Sequence, residues 1–461
     1  MSGGRLVVVS NRLPGAEPGR PLPAGGLASA LSRALDETGG LWFGWSGETG
    51  DPAAEPAVTR TGAVEYAAVD LSEEEIRAHY EGFCNGVLWP LFHGFDGRVR
   101  LAAGGYESYR RVNARFAALL SPLLRSGDRV WIHDYHLLPL GEELRRRGWR
   151  GRTGFFLHIP VPAASAWERL PGAAELVAAL AAYDLVGVQT ERDVAATRAV
   201  LAAHGTGVAA RRVASHPIGI DPEHWRTLSA GEPANPLEPA AAGRSVLFGV
   251  DRLDYSKGIP LRLQAFERLL ERAPRWRSEA LLVQWSAPSR QAIPEYRAER
   301  ARVEALVARI ASRFAPGPPP AVGGGAGPVW HEMATREASS IAAAYREAAV
   351  SLVTSHADGM NLVAKEFVAV QRPGDPGVLV LSRGCGAAEE LREALLVPPG
   401  DVGALAGAMA EALEMPLSER RDRWHALSAR VGGSTVHDWS RRFLEALDAA
   451  PSAGDSPGAG A

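Results

Sequence analysis

A chain of 461 residues, 46% hydrophobic and 22% charged, is long enough for more than one core and polar enough to fold as a globular protein. A formal net charge of −3 argues against a nucleic-acid or anionic-membrane partner. Cys84 and Cys385, the only cysteines, make neither a disulfide framework nor a metal cluster; no apolar run reaches a membrane span and no signal peptide opens the chain, so a cytoplasmic location is expected.

Short apolar or β-branched runs alternate with longer helical patterns, the rhythm of parallel α/β layers. In chain order, strands are predicted at 6–10, 129–133, 154–158 and 185–189, then at 246–250, 281–285, 350–354 and 378–381. Amphipathic helical stretches lie between them, among them 142–147, 261–272 and 295–314. The run 228–243, rich in Pro, Ala and Gly, predicts an inter-domain linker; 316–328 predicts a surface loop, and 450–461 a disordered tail. The expected domains are therefore 1–227 and 244–430. Each is a Rossmann-like, doubly wound parallel sheet of the α/β class, the two facing a central cleft, with ligands beyond the carboxyl ends of the strands. Asn11-Arg12, Asp134, His158 and Arg252 stand at such ends.

The chain has only two lysines, Lys257 and Lys365, and uses Arg for every other cation. Lys is a compact charge on a flexible stem where Arg is a planar fork, so a retained Lys suggests a required point charge; an Arg-biased composition with two survivors is the plainer alternative. Arg252 and Lys257, a turn apart at a strand end and followed by Gly258, suit a diphosphate. The alternative is a solvated loop with an ion pair to Asp251 or Asp254. Asp358-Gly359-Met360-Asn361 precedes an apolar helix carrying Glu366, so the free amides of 359–363 would cradle a ligand at a helix N-terminus. Asp358 and Glu366 lie about two helical turns apart and suit sugar hydroxyls. Taken alone, Asp358 reads as an N-cap.

His133-Asp134-Tyr135-His136 lacks a third ligand and is not read as a metal site; Asp134 is its functional candidate. His158 is open between a satisfied core histidine and a hydrogen-bonding one. His331-Glu332 has no second histidine at zinc-protease spacing, and neither a Walker A nor a Rossmann glycine fingerprint follows a strand. Gly25-Gly26-Leu27, the aromatic run 41–47, Tyr80 and Trp89-Pro90 cluster in the first half with Arg12, consistent with a sugar-phosphate pocket, although each tryptophan alone reads as core.

Together these segments resemble the trehalose-6-phosphate synthases, retaining GT-B glycosyltransferases of family 20, from Leu6 to about Leu447. The likeness rests on Val9-Ser10-Asn11-Arg12, Ala24-Gly25-Gly26-Leu27, Trp42-Phe43-Gly44-Trp45-Ser46-Gly47, Val87-Leu88-Trp89-Pro90, His133-Asp134-Tyr135-His136, Leu157-His158-Ile159-Pro160, Arg252 through Gly258 and Asp358 through Glu366. It implies a UDP-, GDP- or ADP-glucose donor, glucose 6-phosphate as acceptor and α,α-trehalose 6-phosphate as product, with no cofactor or metal. It also implies a C-terminal helix at 431–449 that packs back on the first domain, and domain closure about the 228–243 linker.

On the resemblance, Arg252 and Lys257 hold the diphosphate and, with Asp134 and His158, form the catalytic set. Gly26 lies near the diphosphate, Glu366 binds the ribose, and the Leu362 and Val363 amides meet the nucleotide. Asp358 and the amides of Gly359, Met360 and Asn361 grip the donor glucose, helped by His158. Arg12, Tyr80 and Arg290 hold the acceptor phosphate, while Trp89 and Asp134 position its sugar. Three stretches depart from the family pattern: 93–106, 208–217 and 316–346. The last leaves the nucleotide base open. Sister enzymes with a glycerol phosphate or cyclitol acceptor, and a non-catalytic sugar-phosphate sensor, are the rival readings, and the oligomeric state stays open between monomer and homo-oligomer.

Overall fold

The computed structural model describes residues 4–14, 26–231, 235–241, 243–314 and 327–451. Ala24 and Gly25, most of the 316–328 loop, 232–234 and 242 of the expected linker, and the tail from 452 lie outside the described residues. The chain divides into two compact units, Met1–Ile218 with Val436–Ala461, and Gly219–Thr435.

The first unit is built on an eight-stranded sheet: β1 (Leu6–Arg12), β2 (Gly40–Thr49), β3 (Ala57–Thr61), β4 (Val64–Leu71), β5 (Arg129–His133), β6 (Arg152–Phe156), β7 (Leu185–Val188) and β8 (Val213–Ser215). Its spatial order is β3-β4-β2-β1-β5-β6-β7-β8, parallel except for the β3–β4 pair. Leu6, Val7, Val8 and Val9 are all buried, as the continuous apolar run of a strand covered on both faces requires. β3 is exposed along its length and closes one edge with Thr59, Arg60 and Thr61.

The second unit has six parallel strands: β9 (Ser245–Arg252), β10 (Ala280–Ala287), β11 (Val329–Met333), β12 (Val350–Val353), β13 (Val378–Ser382) and β14 (Leu395–Val397), ordered β11-β10-β9-β12-β13-β14. The amphipathic helix Ile259–Arg272 follows β9 and buries Leu263, Phe266 and Leu270. It starts from Gly258 at φ +69°, where a Cβ would also come within 2.4 Å of the Thr354 carbonyl oxygen. Both the conformation and the space call for glycine. Over 228–243 the chain carries the end of the helix Pro222–Gly231 and the short helix Glu238–Ala241, and the Arg346 guanidinium donates to the Ser229 carbonyl.

All eight expected strands form, with ends moved by one or two residues. Each sheet also has one strand-order reversal, between β1 and β5 in the first unit and between β9 and β12 in the second. In a doubly wound sheet this is where the loops beyond the carboxyl ends part and leave room for a ligand. The last helix, Val436–Ala449, belongs to the first unit. Phe443 stacks on Trp131 at 4.5 Å, and a Cβ at Gly154 or Gly187 would meet its ring at 2.8 or 2.7 Å. No helix among the described residues is long and apolar enough to cross a membrane.

Candidate functional site

At the first unit's reversal, β1 ends in Arg12 and β5 is followed by Asp134. The exposed Arg12 guanidinium lies 5.6 Å over the Trp45 ring and fills the space where any Cβ on Gly47 would stand. Trp45 meets Tyr80 edge-on at 5.5 Å, and Tyr80 stacks on His136 at 5.9 Å. Tyr80 rides on a π-helical segment, Ile76–Leu88, whose wider turns are characteristic of functional positions. Trp89 follows it, 4% exposed and packed on His93 and Tyr135. Tyr135 packs on His136 at 3.9 Å, so Arg12, Tyr80 and Trp89 are joined by one continuous line of rings, with Asp134 next to Tyr135 in the chain. Gly26 opens the helix Gly26–Thr38.

Asp134 has φ +76°, an uncommon conformation for a residue with a side chain and one often kept where a side chain must be aimed. Its Oδ1 accepts from the His158 backbone N–H at 3.3 Å. The His158 ring meets the His133 ring at 3.1 Å, and burial pulls the His158 imidazole down to about 3. Both histidines are therefore neutral at physiological pH. Of the two readings the sequence left open the hydrogen-bonding one holds: His158 is half-buried and hydrogen-bonded through both ring nitrogens.

At the second unit's reversal, β9 ends in Arg252, which is exposed, and β12 leads to Asp358. The buried Asp254 caps the turn Tyr255–Lys257 by accepting from the Ser256 N–H at 3.0 Å. It also pairs with Arg290 at 3.2 Å and accepts from the Tyr296 hydroxyl at 3.0 Å. Burial would raise its pKa, but Arg290 and Arg252 outweigh burial and hold it at about 2. Arg290 itself has φ +44°.

Lys257 reaches neither Asp251 nor Asp254; its ammonium meets Asp358 Oδ2 at 2.5 Å. Burial pulls the Lys257 pKa down, yet the Asp358 carboxylate, helped by Asp251, turns the net shift upward. The same Asp358 oxygen accepts from Asn361 Nδ2 at 3.0 Å and Ser355 Oγ at 3.3 Å. Asn361, at φ +71°, is the N-cap of the helix Leu362–Val370, accepting from the Ala364 N–H, so capping is not what Asp358 does. The backbone of 358–360 is held by the loop after β13 through Asp358 N–H to Gly384 O, Gly386 N–H to Asp358 O and Ala387 N–H to Met360 O. The Met360 side chain is buried, so its amide rather than its thioether is what the loop offers.

Glu366 faces the Tyr345 hydroxyl at 3.3 Å, and burial lifts its carboxyl to about 7. Lys365 ion-pairs with Glu390 at 2.6 Å with its side chain 2% exposed. Of the two lysines, then, one stands at the strand-order reversal and the other ties a helix to its neighbour.

Beneath these residues lies a group that the sequence reading passed over. Arg262 is fully buried and binds Asp251 at 2.8 Å, Thr354 Oγ1 at 3.0 Å and the Gln284 side-chain carbonyl. Thr354 in turn donates to the Lys257 carbonyl at 3.2 Å. The available signal was a lone cation among Ile259, Leu263 and Phe266, on the apolar face of its helix. Among the described residues no three His, Cys, Asp or Glu side chains are grouped as metal ligands.

The profile of glycosyltransferase family 20 matches residues 20–449. The trehalose-6-phosphate synthase of Sinorhizobium fredii is 41% identical, over 96% of this chain and 98% of its own. That of Enterobacter sp. is 40% identical, over 96% and 95%. An α,α-trehalose-phosphate synthase (UDP-forming) from Burkholderia xenovorans, solved in complex with glucose-6-phosphate, superposes with a TM-score of 0.89 at 39% identity, covering 96% of this chain and all, 100%, of that one. A structure from E. coli bound with UDP-2-fluoro glucose gives a TM-score of 0.90 at 38% identity, with 97% and 100% coverage.

Proposed function

The chain belongs to glycosyltransferase family 20 and has the GT-B fold, and from that footing we propose that it transfers glucose from UDP-glucose to glucose 6-phosphate with retention, releasing UDP and α,α-trehalose 6-phosphate. The observation that carries this reading is that the strand-order reversals of both sheets are occupied by Arg12 and Asp134 in one unit and by Arg252, Lys257 and Asp358 in the other. UDP is preferred over GDP or ADP because solved relatives are described as UDP-forming or as bound with a UDP-sugar.

In this reading Arg252 and Lys257 hold the donor diphosphate, with Gly26 near it. Asp358 and the amides of Gly359, Met360 and Asn361 grip the donor glucose, assisted by His158. Glu366 takes the ribose, and the Leu362 and Val363 amides the nucleotide. Arg12, Tyr80 and Arg290 bind the acceptor phosphate, and Trp89 and Asp134 orient its sugar. The acceptor hydroxyl oxygen bonds to the anomeric carbon on the face from which the diphosphate departs. The carbon–phosphate-oxygen bond breaks, and the leaving phosphate oxygen takes the hydroxyl proton. The barrier falls because two fixed cations meet the charge as it grows on the diphosphate.

Those two side-chain cations occupy the role a divalent metal would otherwise serve, so the transfer is metal-independent. A reducing cytoplasm fits two buried thiols, Cys84 and Cys385, neither of which is in a disulfide. Purified protein incubated with glucose 6-phosphate and each of UDP-, GDP- and ADP-glucose, with and without EDTA, tests the whole reading by NMR of the products. Trehalose 6-phosphate is expected from UDP-glucose in both conditions. Its absence with every donor would overturn the reading, and its loss with EDTA alone would overturn the metal-independent step.

A further inference from the structure

The protonation state of the His158 ring can be deduced from a hydrogen-bond chain that begins at a group with only one possible polarity. The Ile218 backbone N–H can only donate, and it donates to Gln189 Oε1 at 3.1 Å. That contact fixes which end of the Gln189 amide is the oxygen. The other end, the NH2 group, faces His158 Nδ1 at 3.4 Å and must donate to it. With Nδ1 accepting, the proton of a neutral His158 resides on Nε2, which meets His133 Nδ1 at 3.1 Å. His133 Nδ1 then accepts, and its own proton stands on Nε2.

The hydrogen-bond chain ends at His133. His133 Nε2 is buried with no hydrogen-bond partner among the described residues, and the ring packs beside Trp131 at 4.6 Å and Trp439 at 6.3 Å.

We propose that Gln189 and His133 are positioning residues that lock His158 as the neutral imidazole with its proton on Nε2, so that Nδ1 is only ever an acceptor. Both ring nitrogens are then committed to protein partners, Nδ1 accepting from Gln189 and the Nε2 proton going to His133. The backbone N–H of the same residue meanwhile holds the Asp134 carboxylate, so one locked residue orders both a ring acceptor and a neighbouring anion.

The titratable groups that face His158 are His133 on β5 and Asp134 just beyond it. β7 leads into Gln189, and the C-terminal helix brings Trp439, neither of which ionises. Burial keeps His158 neutral down to about 3. Asp134 is the anion in this surrounding and would favour a charged ring, and burial outweighs it while Gln189 remains an amide.

Nitrogen-15 NMR of protein labelled in its histidines reads the tautomer directly, with His158 assigned through His158→Asn. The expected wild-type spectrum is a neutral ring protonated on Nε2 from pH 8 to pH 5. Gln189→Glu keeps an oxygen for the Ile218 N–H but puts a carboxylate oxygen against Nδ1. In that variant the ring is expected to take a proton on Nδ1 at neutral pH. The KM for UDP-glucose should rise at least fivefold between pH 8 and pH 6, with the acceptor KM changed less than twofold. A wild-type ring protonated on Nδ1 or charged at pH 7, or a Gln189→Glu profile parallel to wild type, would overturn the proposal. The kinetic arm rests on the donor role given to His158 above; the spectroscopic arm does not, so failure of the reaction itself would remove that role while the tautomer is still decided by NMR.

Discussion

Lys257 and Asp358 come from loops after two different strands and meet at 2.5 Å where the second sheet reverses its order. The ammonium is thereby placed before any substrate arrives. Asp358 is shared in turn with Asn361 and Ser355, so moving one of these groups moves the others.

From this pairing, Lys257→Ala is expected to lower kcat roughly 100- to 1,000-fold, as loss of a charge-stabilising donor does in a preorganised site. The KM for glucose 6-phosphate should change by no more than about threefold, because the charge matters most as the diphosphate leaves. Lys257→Arg should not restore the rate, since a planar fork does not fit the single Asp358 oxygen. Steady-state kinetics with both substrates varied checks all three.

Arg262 and Asp251 form a buried ion pair, and burial pushes the Asp251 pKa up against the pull of Arg262. Arg262→Met leaves that carboxylate without its partner and should cost about 3–5 kcal/mol of stability. Adding Asp251→Leu should recover most of the loss, because the uncompensated charge goes with it. Chemical denaturation of the two single variants and the double variant measures the coupling.

Glu366 carries a pH signature. Its folded value near 7 lies above the ordinary 4.5, so the folded state holds this proton more tightly than the unfolded chain. The stabilisation from that proton is complete below about pH 4.5 and is lost as pH rises to 7, a change of about 3 kcal/mol. Glu366→Gln should remove this slope, so its stability relative to wild type climbs through that window and is level above it. Because ribose hydroxyls donate to a carboxylate, wild-type affinity for UDP should also rise between pH 6 and 8, and the Gln variant's should not. Denaturation and calorimetric titration over pH read the two effects.

Arg12 projects over Trp45 with its guanidinium exposed, and the proposed function gives it the acceptor phosphate. Arg12→Ala should raise the KM for glucose 6-phosphate roughly 10- to 100-fold, the worth of one or two charge-assisted hydrogen bonds. The KM for UDP-glucose should stay near the wild-type value. Initial-rate measurements with each substrate varied at saturating levels of the other distinguish these outcomes.

The buried parallel strands were legible because Val-, Leu- and Ile-rich runs between helical patterns have few other uses, and β1, β5, β9 and β12 carried the reversals with them. β2 was not recognised as a strand, because Gly40–Thr49 mixes glycine with tryptophan and its aromatic content drew the eye before its extended backbone did. The edge strands β3, β8, β11 and β14 are short or polar and lack the apolar signal of the centre. At the site, Arg252 and Lys257 stood out by charge type, and Asp358 by its place before an apolar helix. The pairing of Lys257 with Asp358 is a contact across 101 positions of chain, which local pattern does not encode. The relation of Gln189 and His133 to His158 was not legible for a related reason: it lies in which atom each offers to that ring, and that is a matter of register between β5, β6 and β7.

The Val436–Ala449 helix has a consequence for how this protein is made. Trp439, Phe443 and Leu447 complete the packing under β5, β6 and β7, although those strands leave the ribosome more than two hundred residues earlier. The N-terminal unit must therefore wait, with Trp131 and Phe156 uncovered, while the whole of Gly219–Thr435 is translated. Its maturation is tied to the synthesis of that helix, so a nascent chain that stalls in the second unit leaves the first one unfinished and open to chaperones.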